Sequence, residues 1–381
     1  MDNNYDQLPV YQTGEGIKFD LLDLKVSLLH HGVQVDDDVY REFEGKARLS
    51  KSPFRCSSMI LNGQVSCLVA LTNKETPFRI ILKNGKPIIT YNNHFLTEIS
   101  FHERTDFYDQ KSSGGTPFDN LAVIQGRDVL TIACLWRCDI TQSGNACAFC
   151  HTGNYVYPYQ SVSEMMEVVR YAVEESPKVK CLTMTAGSTF KPESEIDRYV
   201  EILNAIDKTV GTEKLPTLIY ITPPSDLKQI DRLFDAGVRW IACDLEMWDE
   251  RLFQKICPGK AKTTTRQRYL DALYYIADRY GPNRACCVFV AGVEPIDSLI
   301  EGQNVLAERG IVSWPSPLMR FGLEEKVLAE MQPFSLDYYR IARKETAKLF
   351  KKYELEPPGT TGSDCCLHRD IWLRRDILAA E

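Results

Sequence analysis

From about residue 128 the chain alternates two rhythms. Short apolar runs, VLTIACLW, VKCLTMTAG, TLIYITP, WIACDLEM, RACCVFVAGVEP and IVSWPSP, are separated by longer stretches whose apolar positions recur three and four residues apart. The runs have the length and β-branched content of strands, and the stretches have the period of amphipathic helices. SVSEMMEVVRYAVEES places Met165, Val168, Val169 and Ala172 on one face and opens on a serine suited to cap the first turn. SEIDRYVEILNAIDK follows the same pattern. So do SDLKQIDRLFDAG, TTTRQRYLDALYYIADRYG and SLIEGQNVLAERG, each ending at a glycine. Strand and helix in regular alternation with short connections predict an α/β fold, a parallel sheet partly or fully closed into a TIM-type barrel. Such barrels carry their chemistry at the C-terminal ends of the strands.

The N-terminal part has a different rhythm. Residues 16–46 predict one or two helices, with KFDLLDLKVSLLHHG closing at Gly32 and placing His30 and His31 against the helix dipole. SSMIL and QVSCLVAL flank Asn62-Gly63, and RIILK and KPIITY flank Asn84-Gly85. Asn-Gly between β-rich runs predicts a hairpin. The expected organisation is a small α+β domain with antiparallel hairpins over 1–120, a lid or a substrate-recruiting unit, ending in the Gly-rich linker DQKSSGGTPFDN. The barrel then occupies 121–330, and a C-terminal helix with a cysteine-containing tail occupies 331–381.

Composition narrows the class. The 381 residues are 44% hydrophobic and 25% charged, with net charge −7 and no Lys/Arg block. Nucleic acid and anionic membranes are therefore not expected partners. The N-terminus lacks the pattern of a secretory signal, and the apolar runs fall far short of a spanning helix, so a cytoplasmic protein is expected. Thirteen cysteines in a reducing compartment cannot all be a disulfide framework. Most must be buried thiols, and the question is which are ligands.

The stretch CDITQSGNACAFCHTG, directly after the first barrel strand, holds Cys138, Cys147 and Cys150, with Cys134 just upstream. DITQSGNA is too polar for a core, which disfavours inert thiols. Structural zinc on Cys134, Cys138, Cys147 and Cys150 is one reading, and an iron–sulfur cluster is the other. Cys-x-aromatic-Cys after the first strand of a β/α barrel resembles the radical S-adenosylmethionine (radical SAM) signature. The longer spacing Cys-x8-Cys-x2-Cys is similar to that of the Elongator catalytic subunit and its relatives. The resemblance implies a [4Fe–4S] cluster on Cys138, Cys147 and Cys150 beside Phe149, with Cys134 as the alternative first ligand. It also implies S-adenosylmethionine (SAM) on the open iron, a 5′-deoxyadenosyl radical, and hydrogen abstraction from a small molecule in cofactor or natural-product biosynthesis. An electron donor such as flavodoxin or ferredoxin is then a partner.

Three further segments are similar to those of biotin-synthase- and lipoyl-synthase-like members. MTAGS implies a backbone site for SAM at Thr185, Ala186, Gly187 and Ser188. DLEMWDERLFQKICPGK implies a SAM-side role for Glu246, with Arg266 and Arg268 as candidates for the SAM carboxylate. VFVAGVEP places Gly292 near the adenine. Other family members hold an auxiliary cluster, for which Cys181, Cys243, Cys286 and Cys287 in the strands, or Cys365-Cys366-x-His368 in the tail, are the candidates against a reading as core thiols. His151 is expected beside the cluster loop without ligating.

Overall fold

The computed structural model describes residues 9–49, 57–72, 74–134, 137–150, 160–176, 178–320, 323, 329, 331–359 and 364–380. A short antiparallel pair, β1 (Tyr11–Gln12) and β2 (Lys18–Phe19), leads into helix α1 (Leu21–His31). Asp20 caps α1 by accepting from the amides of Leu22 and Asp23 at 2.8 Å, and the Asp23 carboxylate accepts from the Asp20 amide in return. The helix stops at Gly32, whose φ of 74° favours glycine and where a Cβ would lie 2.8 Å from Thr72 Cγ2.

The expected dipole role of His30 and His31 is not what the structure shows. Burial, helped by neighbouring positive charge, pushes both down to about 4, so neither is a cation at neutral pH. Instead their rings pack around Phe334, with centroids 4.5 and 4.6 Å away. The last turn of the helix buries His30 and leaves His31 half-buried beside it.

Strands β3 (Gln34–Val35), β4 (Ser58–Leu61), β5 (Val65–Leu68), β6 (Phe78–Lys83), β7 (Lys86–Tyr91) and β8 (His94–Phe101) form one sheet in the order β3-β6-β7-β8-β4-β5. Both Asn-Gly hairpins are present, with positive φ at Asn62, Gly63, Asn84 and Gly85, as a twisted two-residue turn requires. A third hairpin joins β7 to β8 through Asn92 and Asn93, also at positive φ. It escaped the sequence reading because neither residue is glycine.

The second sheet has seven strands: β9 (Ala122–Gln125), β10 (Val129–Ala133), β11 (Cys181–Thr185), β12 (Thr217–Tyr220), β13 (Trp240–Ala242), β14 (Ala285–Ala291) and β15 (Val312–Pro317). From β10 to β15 the pairing is parallel and follows chain order, while β9 runs antiparallel on the edge of β10. Steps of one strand in one direction place the crossover helices on one face, and the sheet curls away from them. Among the described residues β9 and β15 remain edges, so the architecture is a half-barrel. The register puts Thr131, Thr183, Tyr220, Val288, Trp314 and Ser316 on the inner face. Leu130, Ile132 and Met184 alternate onto the helix side, where they are fully buried.

Two segments differ from expectation. SDLKQIDRLFDAG forms a 3-10 turn over Leu227–Ile230 before the short helix Asp231–Asp235, because Asp226 accepts from the Lys228 amide and tightens the first turn. The polar 109–120 stretch does not hang free. Ser112 and Thr116 hydroxyls donate to Glu164, and the Ser113 amide donates to Glu167, both on the helix Val162–Glu174.

The C-terminal part ties the two sheets together. Arg343 of the helix Leu336–Lys352 pairs with Asp20 and Asp23 at the start of α1. The Asp364 carboxylate accepts from Ser58 Oγ and from the Gly126 amide, and its carbonyl accepts from the Leu68 amide. These contacts lie at the N-terminal end of β10. Lys25 of α1 meets Asp370 at 2.7 Å with both side chains buried. Burial opposes its charge, but Asp370, with Cys67 and Asp364 nearby, together outweigh burial and hold the ammonium above its ordinary value. Among the described residues no helix is long and apolar enough to cross a membrane.

Breaking a buried ion pair from one side strands the other charge. Asp370 would keep only its longer contact with buried Arg374, 3.7 Å away, so Lys25→Met is expected to lower unfolding stability by about 3 kcal/mol, read from urea denaturation. A single variant as stable as the parent would remove this pair from the account of the fold.

Candidate active site at the strand ends

The cysteine loop leaves the C-terminal end of β10. The in–out alternation that points Ala133 inward turns Cys134 to the helix side, where it is 1% exposed and burial raises its thiol well above the ordinary range. Its amide donates to Thr185 O at 2.8 Å, which carries the β10–β11 pairing one step past β10. Cys138 stands half-buried directly before the short helix Asp139–Gln142. The Asp139 amide donates to Ser188 O at 2.9 Å, and its carboxylate accepts from Thr189 Oγ1 and the Phe190 amide at 3.1 Å. Cys147 and Cys150 are also half-buried and close a tight turn, the Cys150 amide donating to Cys147 O at 3.0 Å. Phe149, between them in the chain, packs part-buried against the core. The Cys147 thiol is held below its ordinary value, first by its hydrogen bond with Cys257 and, against burial, by the nearby Lys260 charge.

Thr185, Ala186, Gly187 and Ser188 run alongside this loop, anchored to it by the carbonyls of Thr185 and Ser188. Gly187 is required by proximity: a Cβ there would lie 2.6 Å from Cys138 Cα and 2.8 Å from Arg137 O. The neighbouring strand end is set from below. The Thr222 amide donates to Glu195, and Tyr199 OH donates to Tyr220 O at 2.7 Å.

Glu246 lies beyond β13 with φ 67°, a left-handed conformation that costs a non-glycine residue energy. It is held there by sheet-like bonds: its amide donates to Val288 O at 3.1 Å and its carbonyl accepts from the Val290 amide at 2.7 Å. Its carboxylate pairs with Lys260, whose ammonium also donates to Asp244 O at 3.0 Å and lies over the Tyr269 ring. Asp244 accepts from the Val288 amide, and burial together with the Glu246 charge pushes it up to about 7. Arg266 stacks on Trp248, 4.4 Å to the ring centroid, and donates to Trp248 O. Arg268 lies near Glu193 at the start of the helix Pro192–Thr209. At Gly292, φ 98°, the place of a Cβ is taken by Tyr339 OH, 2.7 Å away, which donates to Ala291 O.

The tail cysteines reach the inner face. Cys366 Sγ lies 3.6 Å from Ser316 Oγ and 3.8 Å from Cys365 Sγ, and both thiols are close enough to Tyr220 to affect its hydroxyl. His368 lies against Trp314, with ring centroids 4.7 Å apart and planes tilted by 37°. Cys181, Cys243, Cys286 and Cys287 are buried in the strands. His151 lies outside the described residues. Sequence reasoning missed Lys260, Asp139, Cys257 and Asp244. The first and third stand in the ICPGK stretch, where a Pro-Gly pair directly before a lysine was the available signal.

Among the described residues, no three His, Cys, Asp or Glu side chains form a ready-made metal-holding group, the loop thiols included. The donor set still fits an iron–sulfur cluster by its chemistry. Three half-buried cysteines stand on one polar loop, and thiolates are the usual ligands of such a cluster. The four-cysteine zinc set would need Cys134, which is in the core.

Residues 143–297 match the radical SAM superfamily. Bacteriochlorophyllide c C-7(1)-hydroxylase of Chlorobaculum limnaeum is 26% identical over 325 residues, covering 80% of this chain and 79% of the relative. A radical SAM methyltransferase from Sphaerobacter thermophilus superposes with a TM-score of 0.45 at 13% identity, covering 79% of this chain and 82% of that one. A maturase of the [FeFe]-hydrogenase gives a TM-score of 0.43 at 15% identity over 60% of this chain, which spans only 51% of the maturase. The match over residues 143–297 and the similarity to this relative support an enzyme of the radical SAM class.

Two outcomes follow from this geometry. Gly187→Ala must push Cys138 aside, so reconstituted protein is expected to lose more than half of its bound iron while keeping its far-ultraviolet circular dichroism. Full iron loading in that variant would show that the close approach does not matter. Glu195, 2% exposed, is pushed by burial from 4.5 up to about 8. The folded state then binds the extra proton between these values, so stability is full below about 4.5 and falls as pH rises to about 8, by at most about 1.4 kcal/mol per unit. Glu195→Gln is expected to flatten that slope in denaturation midpoints measured across the range.

Proposed function

We propose that Cys138, Cys147 and Cys150 hold a [4Fe–4S] cluster and that the enzyme uses it with SAM to take hydrogen from an unreactive C–H bond of a small organic molecule. The observation that carries this reading is the placement of three half-buried cysteines on one loop at the C-terminal end of β10, tied by backbone bonds to the end of β11. When bound, the cluster and SAM supply one electron and a carbon radical, chemistry the side chains lack. The chain's own residues position and exclude. Asp139 locks the loop to the Thr189–Phe190 turn. Thr185 to Ser188 offer a close backbone approach for SAM, and Glu246 lies across the strand ends from them. Arg266, Arg268 and Gly292 follow on the rim of β13 and β14, where they serve the SAM carboxylate and adenine in this reading.

The inner face mixes hydroxyls from Thr131, Thr183, Tyr220 and Ser316 with the apolar side chain of Val288. Such a lining suits a largely apolar small molecule with a few polar groups. By its name, the curated relative hydroxylates a bacteriochlorophyllide, which supports oxidative attack on a C–H bond in a biosynthetic route here. The electron comes from a low-potential carrier of the flavodoxin or ferredoxin type.

Anaerobically reconstituted protein is expected to bind about four irons and four sulfides per chain. Cys138→Ala/Cys147→Ala/Cys150→Ala is expected to lose them. With dithionite and SAM the parent should release 5′-deoxyadenosine. A SAM-responsive cluster surviving in the triple variant, or S-adenosylhomocysteine as the only product, would overturn the proposal.

A further inference from the structure

We propose that Lys260 is a positioning residue that joins the cysteine loop to Glu246 and favours reduction of the cluster the loop holds. The inference rests on the cluster assignment above and adds a residue that the sequence resemblance does not single out.

The stretch Ile256-Cys257-Pro258-Gly259-Lys260 links the helices Glu250–Ile256 and Pro258–Thr263 and forms a floor beneath the cysteine loop. Ile256 O accepts from the Ala148 amide at 2.8 Å. Lys262 Nζ donates to Asn145 Oδ1 at 2.9 Å. A Cβ on Gly259 would sit 1.9 Å from Ile140 Cγ2 and 2.6 Å from Asn145 O, so only glycine lets the two segments touch. Pro258 occupies the first turn of its helix, where its fixed φ sets the path of the chain. Cys257, fully buried, meets Cys147 through its thiol.

Lys260 completes this floor with a charge. Its residue is 8% exposed, and the ammonium is surrounded by the Glu246 carboxylate, the Asp244 carbonyl and the Tyr269 ring. A buried charge is screened little by salt. Gly259, directly before Lys260, packs on Ile140 and Asn145, and Cys257 meets Cys147, so the charge stands on the segment that underlies the cysteine loop. One-electron reduction adds a negative charge to a centre bound through Cys147 and leaves Lys260 unchanged. The electron comes from the low-potential carrier, and no bond is made or broken in this step. A fixed positive charge nearby must favour the reduced form, and a fixed negative charge must oppose it.

The pair therefore makes a prediction of opposite signs. The test is a redox titration of the reconstituted protein without SAM, followed by electron paramagnetic resonance, with iron counted in every sample. Lys260→Met should lower the reduced-to-oxidised ratio at a fixed potential by about tenfold, 59 mV for a one-electron couple. Lys260→Arg should stay within about twofold of the parent. Glu246→Gln should raise the ratio, because it leaves the Lys260 charge unopposed. Lys260→Met with full iron and an unchanged ratio would overturn the inference. If Lys260→Met fails to load iron, Glu246→Gln decides alone, and a ratio equal to or below the parent's overturns it. Failure of the parent to bind iron would instead defeat the cluster assignment.

Discussion

Two backbone bonds beyond β10, Cys134 N to Thr185 O and Asp139 N to Ser188 O, fasten the start of the cysteine loop to the end of β11 and the segment after it. This approach leaves no room for a side chain at Gly187, which lies against the backbone of Cys138. A loop of this polarity has no core of its own to hold it. Its position is inherited from the sheet, which is why half-buried cysteines can sit at a defined place on the surface.

An open half-barrel leaves an inner face that must be covered or wetted. Here the covering comes from both ends of the chain. Helix α1 and the helix Leu336–Lys352 are clamped by Arg343 on Asp20 and Asp23, and Asp364 bridges the hairpin sheet to the turn before β10. The tail then carries Cys366 to Ser316 and His368 to Trp314 on the inner face. The β15 side of the inner face is thus covered by residues about as far from the cysteine loop in sequence as the chain allows. Buried ionic contacts of this kind favour one arrangement over others more than they add net stability.

Local periodicity made the half-barrel legible. Strand and helix order, the capped helices after Ser161 and Thr265, and both Asn-Gly hairpins follow from short-range patterns that the structure repeats. The edge strand β9 and the Asn92-Asn93 hairpin lacked such a signal. The histidine pair at the end of α1 was read from its helix alone, while its surroundings, Phe334 among them, come from the other end of the chain. The same limit applies at the site. The thiols were legible because three cysteines in a polar loop are chemically conspicuous. Lys260 was not, since one lysine among many carries no mark until the fold buries it beside Glu246.

The long spacing between Cys138 and Cys147 gives Lys260 and its neighbours their place in this argument. A longer loop loses more conformational entropy on closing, though only slowly with length, and it offers more ways for its thiols to miss a common centre. A short loop can be held by its own turn. This one is fastened at several points along its length by another segment: Ile140 on Gly259, Asn145 by Lys262, Ala148 by Ile256, and Cys147 by Cys257. Each contact removes freedom that the extra residues introduced. The ICPGK segment that supplies them also carries the cation that pairs with Glu246, so the restraint on the thiols and the charge beside them arrive on the same turn of chain.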